Sequence, residues 1–565
     1  MDKSAIEKFS INARVKLRNS VDSSMAKLGF GPGREVESIQ SVGDITVITL
    51  PGGIQTKISN DEAKYRERLA EVITKDGYDN VVEQVAYTWF NRLIAIRYME
   101  VNDFLPTHVR VLSSNNPEKT EPDLVSQCLT VNLGLSDSER GIISELRDAD
   151  RLDELFSKMF IFECRSLNKI LPELFTLTKP YENMLLNLSY TSPDSVVRSL
   201  VDDIPEDDFR DAVQIIGWMY QYYNSELKDQ TFADLKKNVK IPKERIPAAT
   251  QLFTPDWIVR YMVENSVGRV WLEGHPDQSL RSSWKYYVDE AEQEPDVAAK
   301  LAEIRAPRAD MMPSDIKVID PCMGSGHILV YAFDVLMQIY LSYGYSKSDA
   351  AEMILTDNLY GLDIDDRAYQ LAYFAVMMKA RQYDPDVFSK NLRPNLHSIP
   401  ESNGIDVSAL EGYGKVLSTL EQTTARNDLM YLLTTFRDAK TYGSLLKVRN
   451  LDWDNIDKFL KGRTITLFSN PEIDSRFHEI VDVAKILSKK FDAVITNPPY
   501  MNSSGMSSDL LQFVKDDYPE GKIDLFSCFI SRCESFTKSC GIVSMITQQG
   551  FMFLSSFEGL RSKMC

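Results

Sequence analysis

The second half of this chain is expected to form an α/β domain on a parallel sheet, and the first half a mostly α-helical domain. Three observations lead there. From about residue 246 the pattern becomes strand, turn, helix: IKVID (316–320) and NLYGLDID (358–365) are each followed by an apolar helix, HILVYAFDVLMQIYL (327–341) and AYQLAYFAVMMKA (368–380). Two later runs, FDAVIT (491–496) and GIVSMIT (541–547), repeat the strand pattern. Upstream of 246, apolar and aromatic residues recur mainly at helical spacing.

Taken in order, residues 1–35 read as a helix that ends at the Gly-Pro-Gly of 31–33. DITVITLPGGIQTKIS (44–59) alternates around Pro-Gly-Gly and reads as a hairpin. VVEQVAYTWFNRLIAIRYMEV (81–101) carries a helical stripe that closes before Pro106, in which Trp89, Phe90 and Tyr98 are core residues. Further helices are expected at 150–175 and 207–226. The link IPKERIPAAT then separates a domain of residues 1–245 from one of residues 246–565. Residues 390–485 hold helical patterns such as GYGKVLSTLEQ and NDLMYLLTTF, and are expected to be a largely helical insertion, since so long a structureless loop is rare.

Composition narrows the class. The chain has 565 residues, 43% hydrophobic and 26% charged, ordinary values for a globular protein. No run approaches the roughly 18 apolar residues of a membrane span. The start, MDKSAIEKFS, does not read as a secretory signal. Cys528, Cys533 and Cys540 lie close together, but no histidine is near and the spacing fits no common zinc pattern, so no metal is expected. Seven cysteines in so long a chain read as thiols of a reducing, cytoplasmic compartment. A net charge of −18 argues against nucleic-acid binding by the chain as a whole, because phosphates call for clustered Lys and Arg. A DNA partner would need a local or separately supplied basic surface.

Four stretches carry chemistry. In DPCMGSGHIL a strand ends at Asp320, and Gly324 and Gly326 let a ligand approach the backbone at a helix N-terminus. A dinucleotide fingerprint would have a third glycine where Leu329 stands, which lowers that reading. Asp363, one β–α unit later, can accept both ribose hydroxyls of a nucleoside cofactor. In QLFTPDWIVRYMV (251–263), Thr254 and Pro255 read by themselves as helix capping. Last comes Asn497-Pro498-Pro499-Tyr500. Two prolines stop the strand. The Asn497 side-chain carbonyl and the Pro498 main-chain carbonyl are two acceptors held side by side, able to take both hydrogens of an –NH2 group. On a ring-conjugated amine this draws the nitrogen toward tetrahedral geometry and localises its lone pair for attack. Tyr500 can stack on the ring.

Asp-Pro-x-x-Gly-Ser-Gly, then an acid, then Asn-Pro-Pro-Tyr resembles the amino-methyltransferases that use S-adenosylmethionine. With Phe-Thr-Pro upstream, the order resembles the adenine-N6 DNA methyltransferases of the gamma arrangement, a Rossmann-like class I fold. The stretches AYTWFNRLIAIRYMEVNDFLP, LFTPDWIVRYMVENSVGRVW, DPCMGSGHILVYAFDVL, GLDIDDRAYQLAYFAVMMKAR and KIDLFSCFI further resemble the methyltransferase family of type 1 BREX phage-defence systems. That resemblance implies N6-methylation of adenine in host double-stranded DNA, with the adenine flipped out, alongside other BREX components. It implies Thr254 near the methionine carboxylate, Asp320, Gly324 and Gly326 around the methionine pocket, and Asp363 on the ribose. It gives Asn497 and Pro498 the exocyclic amine and Tyr500 the flipped base. The contact to the cofactor adenine is not assigned; Ser402 or a neighbour in SIPESNGID is the nearest choice. Family members continue with further sheet strands and a target-recognition domain, so a chain ending at FMFLSSFEGLRSKMC is expected not to methylate a specific site alone. Two alternatives stand beside this reading: a protein-glutamine or ribosomal-RNA methyltransferase, and a non-catalytic subunit of a defence complex.

Overall fold

The computed structural model describes residues 1–31, 36–177, 179–210, 213–237, 239–415, 417–462 and 471–564. The chain divides into two compact units, Met1–Glu226 and Leu227–Cys565, so the break precedes the IPKERIPAAT link.

The first unit is mainly helical. Its opening helix, Lys3–Lys27, is capped by the Asp2 carboxylate and stops just before Gly29, which has positive φ. Part of the expected Gly-Pro-Gly stop (32 and 33) lies outside the described residues. The expected hairpin is the second half of an antiparallel meander, β1 (Ser38–Val42), β2 (Ile45–Leu50) and β3 (Ile54–Ser59). Gly52 and Gly53, both at positive φ, make the β2–β3 turn. At the centre of the unit runs the helix Tyr78–Val101, where Trp89, Phe90 and Tyr98 are all buried.

One buried group in this unit is costly. Glu163, on the helix Leu152–Leu167, is fully buried, and neither carboxylate oxygen has a hydrogen-bond partner among the described residues. Burial pushes its pKa up from 4.5 to about 7. The folded chain therefore keeps a proton that the unfolded chain releases at ordinary carboxyl pH. The stability linked to this group is fully present below about pH 4.5 and is lost as pH rises through 7. Glu163→Gln should flatten that decline, which amounts to roughly 3 kcal/mol at most. Urea unfolding of both proteins at pH 5 and pH 8 checks this. Equal pH slopes would show that Glu163 does not drive the dependence.

The second unit holds a five-stranded sheet in the order β6-β5-β4-β7-β8, every pair parallel. The strands are β4 (Val318–Asp320), β5 (Leu359–Asp363), β6 (Asn395–Ser398), β7 (Phe491–Thr496) and β8 (Thr537–Met545). β4 is fully buried and β7 is buried except at Asp492, and both are rich in Val and Ile, as parallel strands are. The helices His327–Tyr343 and Asp366–Tyr383 follow β4 and β5. Strand order reverses between β4 and β7, and open α/β sheets bind ligands beyond the strand ends at such a reversal.

β6 lies inside the stretch read as a helical insertion. The helix Pro471–Ser488, at the end of that stretch, leads into β7 and buries Phe477, Ile480, Val481 and Ala484. Between them, the helices Thr419–Thr435 and Trp453–Lys461 share one core with the sheet: Leu429, Leu432, Ile456 and Phe459 pack in the same cluster as Ile319, Leu362 and Val494. A short turn reaches further. Ser444 Oγ donates to the Pro321 carbonyl at 2.6 Å, directly after β4. A Cβ on Gly443, at positive φ, would come within 2.9 Å of Ile364, directly after β5.

Candidate active site

At the end of β4, Asp320 is buried and braces the sheet. Its Oδ1 accepts from Thr496 Oγ1 of β7 (2.7 Å) and from the Cys322 amide (3.0 Å). Burial pushes its carboxyl up to about 7, against the pull of those two hydrogen bonds.

The turn that follows contains both glycines, in different circumstances. Gly324 has φ +53°, and a Cβ there would meet open space, so this side of the turn leaves room for a ligand. Gly326 has φ +82°, and a Cβ would press to 3.0 Å on Ala372. Its missing side chain lets the helix Asp366–Tyr383 pack close. Asp363, half-buried at the end of β5, reaches back to this turn. Its Oδ2 accepts from the Gly324 amide (2.9 Å) and its Oδ1 from the Asp365 amide (2.8 Å). Burial, and then the Asp365 charge among other causes, raises its carboxyl to about 6.

Thr254 is not the cap that local sequence suggests. The helix Asp256–Val263 has Pro255 at its N-cap and no side-chain cap bond. Thr254 is instead buried, and its Oγ1 accepts from Asn497 Nδ2 at 3.2 Å. Thr254 stands one residue before the N-cap position, so its hydroxyl is not placed to cap the helix. Beside it, Phe253 stacks on the His327 ring at 4.5 Å, at the start of the helix that follows the glycine turn.

Asn497 directly follows β7, where Pro498 and Pro499 forbid further pairing. The Tyr500 hydroxyl sits 2.9 Å from the Ile546 carbonyl and 3.1 Å from Asn497 Oδ1. It has one proton to give. Both neighbours are carbonyl oxygens that can only accept, so the one proton is shared between them, and Asn497 Oδ1 keeps a second lone pair for another donor. The Tyr500 ring packs on Phe526 at 5.9 Å and 34°. Burial raises its phenol to about 12, so it stays protonated at neutral pH. Motif reading did not reach Ile546 or Phe526. Phe526 lies in the quoted KIDLFSCFI, whose resemblance gave it no role. Ser402 spends its hydroxyl on the Leu433 carbonyl (2.5 Å).

These residues converge from four points of the unit: Thr254 touches Asn497, Asp320 touches β7, and Asp363 touches the glycine turn. Residues 357–565 match the family model described as "Eco57I restriction-modification methylase". The chain is 39% identical, over 100% of its length, to "Adenine-specific methyltransferase PglX" of Lacticaseibacillus casei (strain Zhang), and covers 48% of that protein. It is 37% identical over 99% of its length to "Adenine-specific methyltransferase BrxX" of Escherichia coli O9:H4 (strain HS), again covering 48% of that protein. The chain thus spans about half the length of the curated relatives it matches. Among solved structures, the ATP-dependent Type ISP restriction-modification enzyme LlaBIII bound to DNA aligns over 98% of this chain and 25% of its own, at 14% identity and a TM-score of 0.38, a likeness too slight to argue from. In sequence this chain is similar, along its whole length, to the adenine-specific methyltransferases PglX and BrxX, and the stretch that matches the methylase family model lies in its second, α/β unit.

Proposed function

We propose that this chain holds S-adenosylmethionine and the target amine of an adenine-N6 DNA methyltransferase of gamma motif order, one that marks host DNA in a BREX-type system. The observation that carries this is the bond between Asn497 and Thr254. It joins the residue proposed to grip the amine to the residue proposed to meet the cofactor carboxylate, at the reversal of the sheet.

When bound, S-adenosylmethionine supplies an electrophilic methyl group. The open side of Gly324 gives its methionine end room, with Asp320 holding the turn in shape. Asp363, once ionised, has further lone pairs for the ribose hydroxyls. Asn497 Oδ1 and the Pro498 carbonyl accept the two amine hydrogens. Tyr500 covers the flipped base, and its ring helps offset an extrusion cost of about a few kcal/mol. The helical first unit is proposed to serve contacts with other components of the system.

Calorimetric titration with S-adenosylmethionine tests the cofactor half. Asp363→Ala should weaken binding by about 10–100-fold, the size of one or two hydrogen bonds to a charged acceptor. Wild-type affinity should also fall as pH drops through about 6, where the Asp363 carboxyl takes up a proton and loses acceptor strength. Asn497→Ala should bind the cofactor normally. An unchanged affinity in Asp363→Ala would place the ribose elsewhere.

A further inference from the structure

The KIDLFSCFI stretch has no role in the chemistry above, yet it borders the Asn497–Tyr500 segment. That segment is difficult to hold still. Pro498 and Pro499 carry no amide hydrogens, so the backbone there cannot anchor itself by donation. Beyond the side-chain bonds of Asn497 and Tyr500, its backbone is fixed from its two ends. One end is β7, where the Thr496 carbonyl accepts from the Ile546 amide. The other end is Met501.

Met501 is gripped through both of its backbone groups. Its amide donates to Asp524 Oδ1 at 3.0 Å, and its carbonyl accepts from the Leu525 amide at 3.1 Å. The Ser503 amide donates to the Ile523 carbonyl (2.8 Å), and Asn502 and Asp524 form an antiparallel bridge. Asp524 is buried and is also the N-cap of the helix Leu525–Phe536. Its same Oδ1 accepts from the Phe526 amide at 3.3 Å, and Phe526 packs on Tyr500.

We infer that Asp524 is a positioning residue for the proposed target-amine site: through one oxygen it fixes both Met501, which aims the Asn497 and Pro498 carbonyls, and Phe526, which backs Tyr500. The inference rests on the reading of Asn497, Pro498 and Tyr500 given above. Its distinctive feature is that one acceptor atom suffices and the negative charge does not matter. Asparagine offers the same oxygen in the same place, whereas serine keeps a helix cap but is a bond shorter and falls short of Met501.

The test compares Asp524→Asn, Asp524→Ser and Asp524→Ala in the full chain. Two readouts are used: amide exchange of the 497–503 segment, and methyl transfer to DNA carrying adenine opposite an abasic site. Asparagine should leave both near wild type. Serine and alanine should speed Met501 exchange by about tenfold and lower kcat by about 100-fold, the cost of an acceptor displaced by about 1 Å. KM for DNA and cofactor affinity should stay close to wild type in all three, because the cofactor turn lies elsewhere. If alanine fails to fold, the serine and asparagine pair decides. Serine indistinguishable from wild type would reduce Asp524 to a helix cap and overturn the inference. Asparagine as damaging as alanine would do so too, by making charge the essential property. Failure of the underlying reading looks different: Asn497→Ala would then leave methyl transfer intact whatever the Asp524 variants do.

Discussion

Asn497→Ala should lower methyl transfer to adenine by about 10²–10³-fold, the usual cost of removing one fixed dipole aimed at charge that develops in the transition state. An amino group attached to a purine becomes nucleophilic only when its lone pair leaves the ring. Two acceptors on its two hydrogens favour that change, and their grip tightens as the nitrogen gains positive charge. Alanine leaves the Pro498 carbonyl and removes the side-chain acceptor. It also removes the donor to Thr254 Oγ1 at 3.2 Å, a weak bond whose loss is a small part of the effect. DNA with adenine opposite an abasic site is the substrate of choice, because extrusion then costs little and the chemical step is exposed. S-adenosylmethionine affinity, measured alongside, should hold. A transfer rate close to wild type would remove Asn497 from the mechanism.

Arg532→Met should destabilise the second unit by about 3 kcal/mol or more. Arg532 is buried and has no carboxylate partner among the described residues. Its guanidinium is satisfied by main-chain carbonyls: Nε donates to Ser444 (2.8 Å), and Nη2 donates to Leu446 (2.6 Å) and Leu487 (3.0 Å). Nη1 donates to Ser535 Oγ at 3.0 Å, and the plane lies 3.8 Å from the Phe536 centroid. Methionine fills much of the volume but orphans three buried acceptors, at about 1–3 kcal/mol each before relaxation. Lysine keeps the charge but lacks the planar fork, so Arg532→Lys should recover only part of the loss. Urea unfolding midpoints read the effect. A Met variant within about 0.5 kcal/mol of wild type would show that these carbonyls find other partners.

What could be read in advance divides along the range of the interaction. β7 was legible to the residue, because Phe491–Thr496 is mostly apolar, carries the run Ala493–Ile495, and is followed after Asn497 by two prolines. The glycine turn and its helix were equally clear. β6 was not: the five residues between Pro394 and Pro400 look like a turn, and only pairing with β5 makes four of them a strand. Thr254 misled for a related reason. Beside a proline and before a helix, threonine is a good cap, and nothing nearby in sequence shows that Asn497 claims its hydroxyl. The Arg532 clamp left no trace at all, since its partners are carbonyls, which every residue has. Asp524 stood in a quoted stretch without a task, because its partner is the amide of Met501 and amides carry no signature.

The order of the sheet also sets an order in time. β5 pairs with β4 and β6 with β5, all from neighbouring parts of the chain, and the glycine turn and Asp363 come with them. β7 must join the other edge of β4 after the intervening helices have been made, and the Val318–Ala493 pairing closes one of the longest loops in the unit. During synthesis from the N-terminus, the half that carries Asp320, Gly324 and Asp363 can therefore assemble while Asn497 is still in the ribosome. The Thr496–Asp320 bond cannot form before β7 emerges, and a ribosome stalled between β6 and β7 would hold a nascent chain with β4, β5 and β6 made and the Asn497–Tyr500 loop unborn.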